Sequence, residues 1–237
     1  MCGNYHGNRG TCSSTHYLRA DAIDDARFGW QYPYMADTVL SSKVSVSDLT
    51  GNYPEIAEYP QFLRDKAAKR PVGRGTAAHT LMEHIAISPH TADSIRAEIH
   101  RLVAEGILAP AEAEVISIKN VSAFFASDLG RRMCASPRVE RELPFNHRVS
   151  ARELIGADTD ETMLLQGIID CCFIEDGQWV LIDYKTDFVP IGKAKQAASK
   201  HRRQLTLYRN ALEALTGAPV KEMYIHFLGI GESVRVE

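Results

Sequence analysis

The sequence lacks the features that mark several large classes of protein. Its most hydrophobic stretch, Met163 to Ile174, is interrupted by Asp170, whereas a transmembrane helix needs about 20 apolar residues. The first residues contain no apolar core of a signal peptide. No P-loop of the form G-x-x-x-x-G-K-[ST] is present, so no ATP site is expected. We therefore expect a soluble, cytoplasmic protein that makes no membrane contact.

Cysteine and net positive charge are also scarce. The cysteines are odd in number and include no C-x-x-C pair, namely Cys2, Cys12, Cys134, Cys171 and Cys172. This excludes a disulfide framework and the common zinc motifs. The net charge is −3 at pH 7, so binding to nucleic acid would require a local basic patch. The composition, 45% hydrophobic and 24% charged, is typical of a folded globular chain.

The pattern of the 237-residue chain changes near residue 40. Residues 1–40 are polar and have no sustained period, so we expect a loosely ordered N-terminal arm. Residues 41–237 combine helical periods with β-rich runs, which predicts an α/β domain with a central mixed β-sheet flanked by helices. Within this domain we expect single helices over 121–133 and 191–215, a strand over 139–149, and a loop over 151–162.

The strongest local pattern is a β-hairpin over residues 163–185. Asp176-Gly177 separates two apolar, β-rich runs and is a favoured dipeptide of the type I′ turn. A two-residue turn pairs positions whose numbers sum to 353, which places Asp170 opposite Asp183. Lys185 then points to the same face. The other face is predicted to be core and carries Ile169, Cys171, Phe173, Val180, Ile182 and Tyr184.

Two carboxylates that face each other across a ladder repel and need compensation. A divalent cation is one solution, since Mg²⁺ takes carboxylate oxygens, water and substrate phosphate as ligands. The ammonium of Lys185 would then be placed to orient a water molecule that attacks a phosphodiester, or to stabilise the negative charge that develops on the phosphate. The other solution is an ion-pair network on a solvent-exposed sheet face. The residue types alone leave both interpretations open.

Five short motifs follow one another between residues 75 and 208. They are Gly75-Thr76-Ala77-Ala78-His79, Glu142-Leu143-Pro144-Phe145, Gly167-Ile168-Ile169-Asp170, Asp183-Tyr184-Lys185-Thr186-Asp187 and Gln204-Leu205-Thr206-Leu207-Tyr208. In this order they resemble the motifs of RecB-type nucleases, which belong to the PD-(D/E)XK superfamily. The upstream segments Trp30–Tyr34 and Lys43–Ser47 look most like the C-terminal nuclease domain of the AddA family of bacterial helicase–nucleases. The resemblance implies a restriction-endonuclease-like core.

The resemblance also implies a role for each matching residue. Asp170, Asp183, His79 and the carbonyl of Tyr184 would bind a metal ion, Mg²⁺ with Mn²⁺ able to substitute. Lys185 would be catalytic together with the two aspartates, and Gln204 and Tyr208 would complete the catalytic set or contact DNA. Glu142 would be a ligand or a group that supports one. No cysteine follows Cys172, so no iron–sulfur cluster is expected.

Each of these side chains also has an ordinary structural interpretation. His79 could be a core or helix-cap histidine, or could pair with Glu83 one turn later. Glu142 could form a surface pair with Arg141. Gln204 and Tyr208 are four residues apart and could simply pack one helix face against the sheet.

A basic segment follows the last strand of the hairpin. Between Pro190 and Leu212 the sequence has six basic residues and no acid: Lys193, Lys195, Lys200, Arg202, Arg203 and Arg209. These residues suit contacts with DNA phosphates, which position DNA without reading its sequence. A solvated helix surface is the alternative. No base-reading motif is visible, so we expect weak or no sequence specificity.

The resemblance implies a divalent-metal-dependent deoxyribonuclease of the exonuclease type. It would act in DNA end processing for recombinational repair, alongside a helicase motor and a second nuclease subunit. The alternative is a catalytically silent nuclease-fold module that binds DNA or docks within a helicase–nuclease complex.

Overall fold

The computed structural model of the protein describes residues 40–51, 74–187, 189–190 and 192–237. The predicted arm up to residue 39 and the Trp30–Tyr34 segment lie outside these residues. The described residues from 41 onward belong to one compact unit, Ser41–Glu237. Among the helices of this described part, none has the length and apolar character needed to cross a membrane.

Helices and strands alternate irregularly along the chain. The strands are β1 (Lys43–Ser45), β2 (Val139–Ser150), β3 (Thr162–Glu175), β4 (Gln178–Lys185), β5 (Val220–Phe227) and β6 (Glu232–Val236). The helices are α1 (Val46–Thr50), α2 (Arg74–His84), α3 (Ala92–Ala104), α4 (Pro110–Ala113), α5 (Ile118–Ala126), α6 (Asp128–Ala135), α7 (Ala151–Ile155), α8 (Ala194–Ser199) and α9 (Arg202–Thr216).

The strands form one mixed sheet, as the sequence predicts. Their order is β1-β3-β4-β5-β6, and β2 pairs with the other edge of β3. The pairs β1·β3 and β4·β5 are parallel, and the remaining pairs are antiparallel. Because β3 is the one strand that β2 pairs with in the described part of the chain, β2 is an edge strand there. This position tolerates Pro144, which has no N–H to donate to a second neighbour.

The hairpin has the predicted turn and register. Asp176 and Gly177 have φ angles of 54° and 75°, as a type I′ turn requires. The β3–β4 ladder runs from Glu175↔Gln178 to Cys171↔Ile182, so the predicted pairing is confirmed as far as Cys171 and ends one residue short of the predicted pair Asp170 and Asp183. The predicted core face is buried, with every member at most 3% exposed.

The sheet opens at the end of this ladder. One edge of β3 pairs with β1 over residues 164–166 and with β4 over residues 171–175. Between these two stretches, residues 167–170 have no strand partner on that edge within the described part of the chain. A fork therefore separates β3 from β4 beside Asp170, and side chains from several elements can reach it.

Helices cover the sheet around this fork. Helices α2, α3, α5 and α6 bury a large apolar cluster that includes Leu81, Ile95, Phe124 and Met133, and it packs on Phe173 and its neighbours. Helix α9 packs against β2, β4 and β5. A hydrogen bond from the Trp179 indole N–H in β4 to Oγ1 of Thr216 in α9 (3.0 Å) fixes this contact.

Three predictions of secondary structure are wrong, and caps explain two of them. The helix expected over 121–133 is divided at Ser127, whose hydroxyl accepts a hydrogen bond from the Gly130 N–H and starts α6. The loop expected over 151–162 begins with helix α7, which Ser150 caps in the same way. The helix expected over 191–215 is divided at His201, whose backbone is not helical (φ −94°, ψ 4°). Strand β6 was not expected.

Gly167, the first residue of the G-x-x-D motif, lies where β2, β3 and α9 meet. A Cβ atom added there would lie 2.6 Å from ring carbons of Phe145 and 3.2 Å from the Tyr208 ring. Distances this short cannot persist, so any larger residue must displace the two rings. Steric crowding beside the fork therefore explains the glycine.

We expect Gly167→Ala to lower the free energy of unfolding by about 1–3 kcal/mol, because overpacking forces the Phe145 ring out of place. Urea denaturation measures this loss. Gly229→Ala is the matched control, since its added Cβ would meet only the Asp187 carbonyl oxygen, at 3.9 Å. An equal loss in the two variants would contradict the explanation.

Candidate active site

A cavity of about 320 Å³ lies at the fork. It collects side chains from α2, β3, β4 and α9, and most of the predicted residues line it: His79, Asp170, Asp183, Tyr184, Lys185 and Gln204. The sequence motifs are therefore brought together in space although they span more than a hundred positions.

Asp183 and Lys185 form a buried ion pair in this cavity. Nζ of Lys185 is 2.7 Å from Oδ2 of Asp183, and their side chains are 16% and 1% exposed. The interpretation of these residues as an exposed surface network is therefore wrong. Burial raises the pKa of Asp183 to about 6, and the nearby charge of Asp170 adds to this effect. Within the described chain, Oδ1 of Asp183 is buried and has no hydrogen-bond partner.

The backbone of Tyr184 links the other two motif residues. Its N–H donates a hydrogen bond to Oδ2 of Asp170 (2.8 Å). Its carbonyl oxygen accepts a hydrogen bond from Nε2 of His79 (2.9 Å). Since a carbonyl can only accept, Nε2 carries the proton and Nδ1 carries the lone pair. Desolvation lowers the pKa of His79, so the imidazole is neutral and can act as a ligand.

Glu142 lies close to His79 and Asp170, and its backbone has an unusual conformation. Its φ angle is +47°, a region that residues other than glycine rarely adopt. The β2–β3 pairs on either side of it, Arg141↔Cys171 and Leu143↔Ile169, remain in register. Burial raises the pKa of Glu142 to about 7, and the charge of Asp170 contributes. Backbone strain of this kind persists when surrounding contacts enforce it, and it is common at functional sites.

Arg141 holds helix α2 against strand β2. Its Nη1 donates hydrogen bonds to the carbonyls of Met82 (3.2 Å) and Ile85 (2.6 Å), at the end of α2. The guanidinium thus caps the C-terminal carbonyls of the helix, and the described structure shows no ion pair between Arg141 and Glu142. Through this contact the helix that carries His79 is fixed relative to the strand that carries Glu142.

The cavity offers a set of ligands that fits a divalent cation. One ring nitrogen of His79 and one carboxylate oxygen each from Glu142 and Asp170 lie within 4.8 Å of one another. Burial also raises the pKa of Asp170 to about 6, against the opposing effects of Lys185 and the Tyr184 N–H. Among the described residues, Asp170, Asp183 and Asp187 line the cavity together with one ammonium, that of Lys185, and Glu142 lies next to Asp170. This excess of negative charge is what a divalent cation would neutralise.

The remaining predicted residues take different positions. Gln204 and Tyr208 lie one turn apart on α9, where Nε2 of Gln204 donates a hydrogen bond to the Tyr208 hydroxyl (3.0 Å). Lys200, Arg202 and Arg203 line a separate cavity of about 570 Å³ beside α9. Lys193 and Lys195 are exposed and Arg209 is half-buried. The basic residues therefore do not enter the cavity at the fork.

The cavity also contains residues to which sequence reasoning assigned no role, although Ser47, Thr186 and Asp187 lie within the quoted motifs. Ser47 of α1, Thr186, Asp187 and His201 also line the cavity. Nε2 of His201 is 3.5 Å from Oδ2 of Asp187, and desolvation lowers the pKa of this histidine. One signal was available: His201 precedes Gln204 by three residues, a spacing that puts both on one helix face.

Comparison with known proteins shows the family of the chain. Residues 54–235 match the sequence profile of the PD-(D/E)XK nuclease superfamily. The chain belongs to this superfamily, and the resemblance and the α/β fold class predicted from the sequence are confirmed. A solved structure named "Crystal structure of SSO0001" covers 67% of this chain and 64% of its own, with 12% identity and a TM-score of 0.32, a similarity too low to bear on the fold.

Curated relatives are named as subunits of an ATP-dependent helicase/nuclease, of the AddA type. The protein of Alkaliphilus metalliredigens is 33% identical over 97% of this chain and 20% of its own length. Those of Acetivibrio thermocellus and Geobacillus kaustophilus are 35% and 36% identical over 86% and 89% of this chain, and over 18% and 19% of their own lengths. The chain thus spans about a fifth of the length of these relatives.

The raised pKa values predict how stability and cation binding depend on pH. The folded metal-free protein holds protons on Asp170 and Asp183 up to about pH 6, whereas the unfolded chain releases them near pH 4. Their protonation therefore stabilises the fold at low pH, and this stability is lost as pH rises through about 6. Added Mg²⁺ or Mn²⁺ should raise the melting temperature much more at about pH 8 than at about pH 5.

Differential scanning fluorimetry with and without EDTA measures these shifts. Asp170→Asn should abolish most of the Mn²⁺-dependent shift. The control Asp160→Asn removes a fully exposed carboxylate, 100% exposed, and should keep it. A shift that is independent of pH, or that survives Asp170→Asn, would contradict the assignment of this cavity as the cation site.

Proposed function

We propose that the chain is a cytoplasmic, divalent-metal-dependent deoxyribonuclease that hydrolyses phosphodiester bonds. The observation that carries the proposal is the buried Asp183–Lys185 pair beside the ligand group of His79, Glu142 and Asp170, in a chain of a nuclease superfamily. A bound divalent cation, Mg²⁺ or Mn²⁺, would polarise the scissile phosphate and increase the acidity of a water molecule.

The chain's own residues hold and orient the reacting groups. Glu142, Asp170 and His79 would hold the cation, and Asp183, whose Oδ1 is buried without a hydrogen-bond partner in the described chain, would add a further carboxylate. The Tyr184 backbone keeps Asp170 and His79 at a fixed separation through its N–H and its carbonyl. We propose Glu142 as a ligand, because its carboxylate lies within the ligand group in this structure. Asp183 uses its other oxygen, Oδ2, in the ion pair with Lys185.

Lys185 is the group that we assign to the reaction itself. Its ammonium is held by Asp183 and lines the cavity, so it can orient the attacking water and stabilise negative charge on the phosphate oxygens. The attacking water gives up a proton as its oxygen forms a bond to phosphorus, the bond from phosphorus to the leaving oxygen breaks, and the leaving oxygen takes up a proton. Gln204, hydrogen-bonded to Tyr208, lines the cavity where the strand would pass.

The relatives support a role within a larger assembly. Their name describes one component of an ATP-dependent helicase/nuclease, and the sequence of this chain contains no P-loop. We propose that the domain acts on DNA ends during recombinational repair, as an exonuclease supplied with DNA by a helicase motor and working with a second nuclease subunit.

Lys185→Ala should reduce the cleavage rate about 10²–10³-fold, the usual cost of removing one charge-stabilising group. The measurement is single-turnover cleavage of linear and circular DNA, single- and double-stranded, with Mg²⁺, Mn²⁺ or EDTA. Lys119→Ala, which removes an exposed lysine of α5, is the control and should cleave at the native rate.

The same assay separates the two functions considered for the chain. Cleavage that EDTA and Lys185→Ala both abolish supports the nuclease. Binding to DNA that survives EDTA, with no cleavage under any metal, would instead support a catalytically silent module. Full activity of Lys185→Ala would contradict the proposed role of this residue.

The basic residues beside α9 provide a separate prediction. Changing Lys200, Arg202 and Arg203 together to Gln should weaken DNA binding and flatten its salt dependence, because each lost phosphate contact removes about 0.7 from the log–log slope on single strands. Fluorescence anisotropy at several salt concentrations measures this slope. Arg96, Lys119 and Arg131 are exposed on α3, α5 and α6, and changing them to Gln is the control. Equal slopes for the two triple variants would exclude these contacts.

A further inference from the structure

A second cavity continues from the candidate active site along the open edge of β3. Its volume is about 420 Å³, and it lies where β1 ends and β2 runs beside β3. Ser47 lines both cavities. Gln204 lines the first cavity and Tyr208 the second, and the hydrogen bond between them (3.0 Å) joins the two. The two cavities are therefore neighbours with a common wall.

The second cavity differs from the first in its chemistry. Among the described residues that line it, none carries a charge, whereas acids, a lysine and histidines surround the first. Its walls include Pro144, Phe145 and Ile168. Ile168 is 49% exposed, while its neighbour Ile169 is fully buried. A large apolar side chain is thus presented to the cavity beside the site of charge.

Two side-chain amides supply polar groups in this cavity. Nε2 of Gln166 donates a hydrogen bond to Oδ1 of Asn146, and both residues line the cavity. The bond uses one donor of Gln166 and one acceptor site of Asn146. The side-chain amide of Asn146 can still donate, and Oε1 of Gln166 can still accept.

We propose that this cavity holds the nucleobase of the nucleotide next to the scissile phosphate. The inference rests on the proposed nuclease function, which places a phosphate in the first cavity. A phosphate group would gain nothing in the second cavity, because no cation lines it among the described residues. A base has flat apolar faces that fit against Ile168 and Pro144, and an edge of donors and acceptors that suits the amides.

The identity of the base would matter little in this subsite. The paired amides offer both a donor and an acceptor, so each base can form at least one hydrogen bond. Base pairing would hide that edge and keep the base in its stack, and a paired nucleotide would have to be unstacked before it entered, at a cost in free energy. The subsite therefore favours an unpaired nucleotide at the bond that is cut.

The test uses single-stranded oligonucleotides in which phosphorothioates protect every linkage except the terminal one, at the 3′ end in one set and at the 5′ end in the other. In one series an abasic residue replaces the nucleotide at each position around the cleavable bond. With the native chain, cleavage should slow about tenfold when the abasic residue is next to that bond on one side, the size of effect expected for one lost base contact. Abasic residues further away should have little effect.

Variants connect this effect to the cavity. Ile168→Glu should slow cleavage of the intact substrate about tenfold, and should add no further loss on the abasic substrate, since the same contact is already missing. Asn146→Ala, at an exposed position, is a second variant with the same expected pattern. Ile155→Glu alters an isoleucine that is 44% exposed and outside both cavities, and it should leave cleavage unchanged.

The outcomes separate this inference from the proposed function. If the native chain cleaves every abasic substrate as fast as the intact one, the base subsite is wrong and the nuclease stands. If the native chain cleaves nothing, the proposed nuclease function is wrong. Binding of the same oligonucleotides, measured by fluorescence anisotropy in EDTA, then tests the base subsite by itself. About tenfold weaker binding of the oligonucleotide whose abasic residue is next to the cleavable bond, compared with the intact oligonucleotide, would support the base subsite. Equal binding of the two would overturn it.

Discussion

The crowding of negative charge at the fork between β3 and β4 is the constraint on which the site depends. Glu142, Asp170 and Asp183 are partly or fully withdrawn from water, and among the described residues the ammonium of Lys185, paired with Asp183, is the one that lines the cavity. The pKa values of about 6 to 7 for these three acids show that the folded chain holds their charges at a cost. The proposed divalent cation would offset this cost.

Much of the fold could be predicted from local chemistry. The Asp176-Gly177 turn and the alternation of β3 and β4 were sufficient to place the hairpin and its register, because turn type and side-chain period both act over a few residues. Helix boundaries were harder. Ser127 ends one helix and starts the next with its hydroxyl, and a serine inside an apolar period gives no signal that distinguishes a cap from a helix interior.

The sequence predicts which residues form the candidate site better than it predicts how they are arranged in space. The motifs identify His79, Asp170 and Lys185, which line one cavity. The place of Glu142 in the ligand group goes with a φ angle of +47°, which no residue pattern indicates. The cavity lined by Ile168 could not be predicted from the sequence either, since it lies where the pairing of β1 with β3 ends, before the fork. Strain and cavities are properties of the assembled chain.

The location of the cation is the central claim, and anomalous diffraction from crystals grown with Mn²⁺ tests it most directly. The ligand group predicts an anomalous peak in contact with the side chains of Glu142, Asp170 and His79. A peak elsewhere in the molecule, with none beside these three residues at about pH 8, above the pKa values of about 7 for Glu142 and about 6 for Asp170, would contradict it.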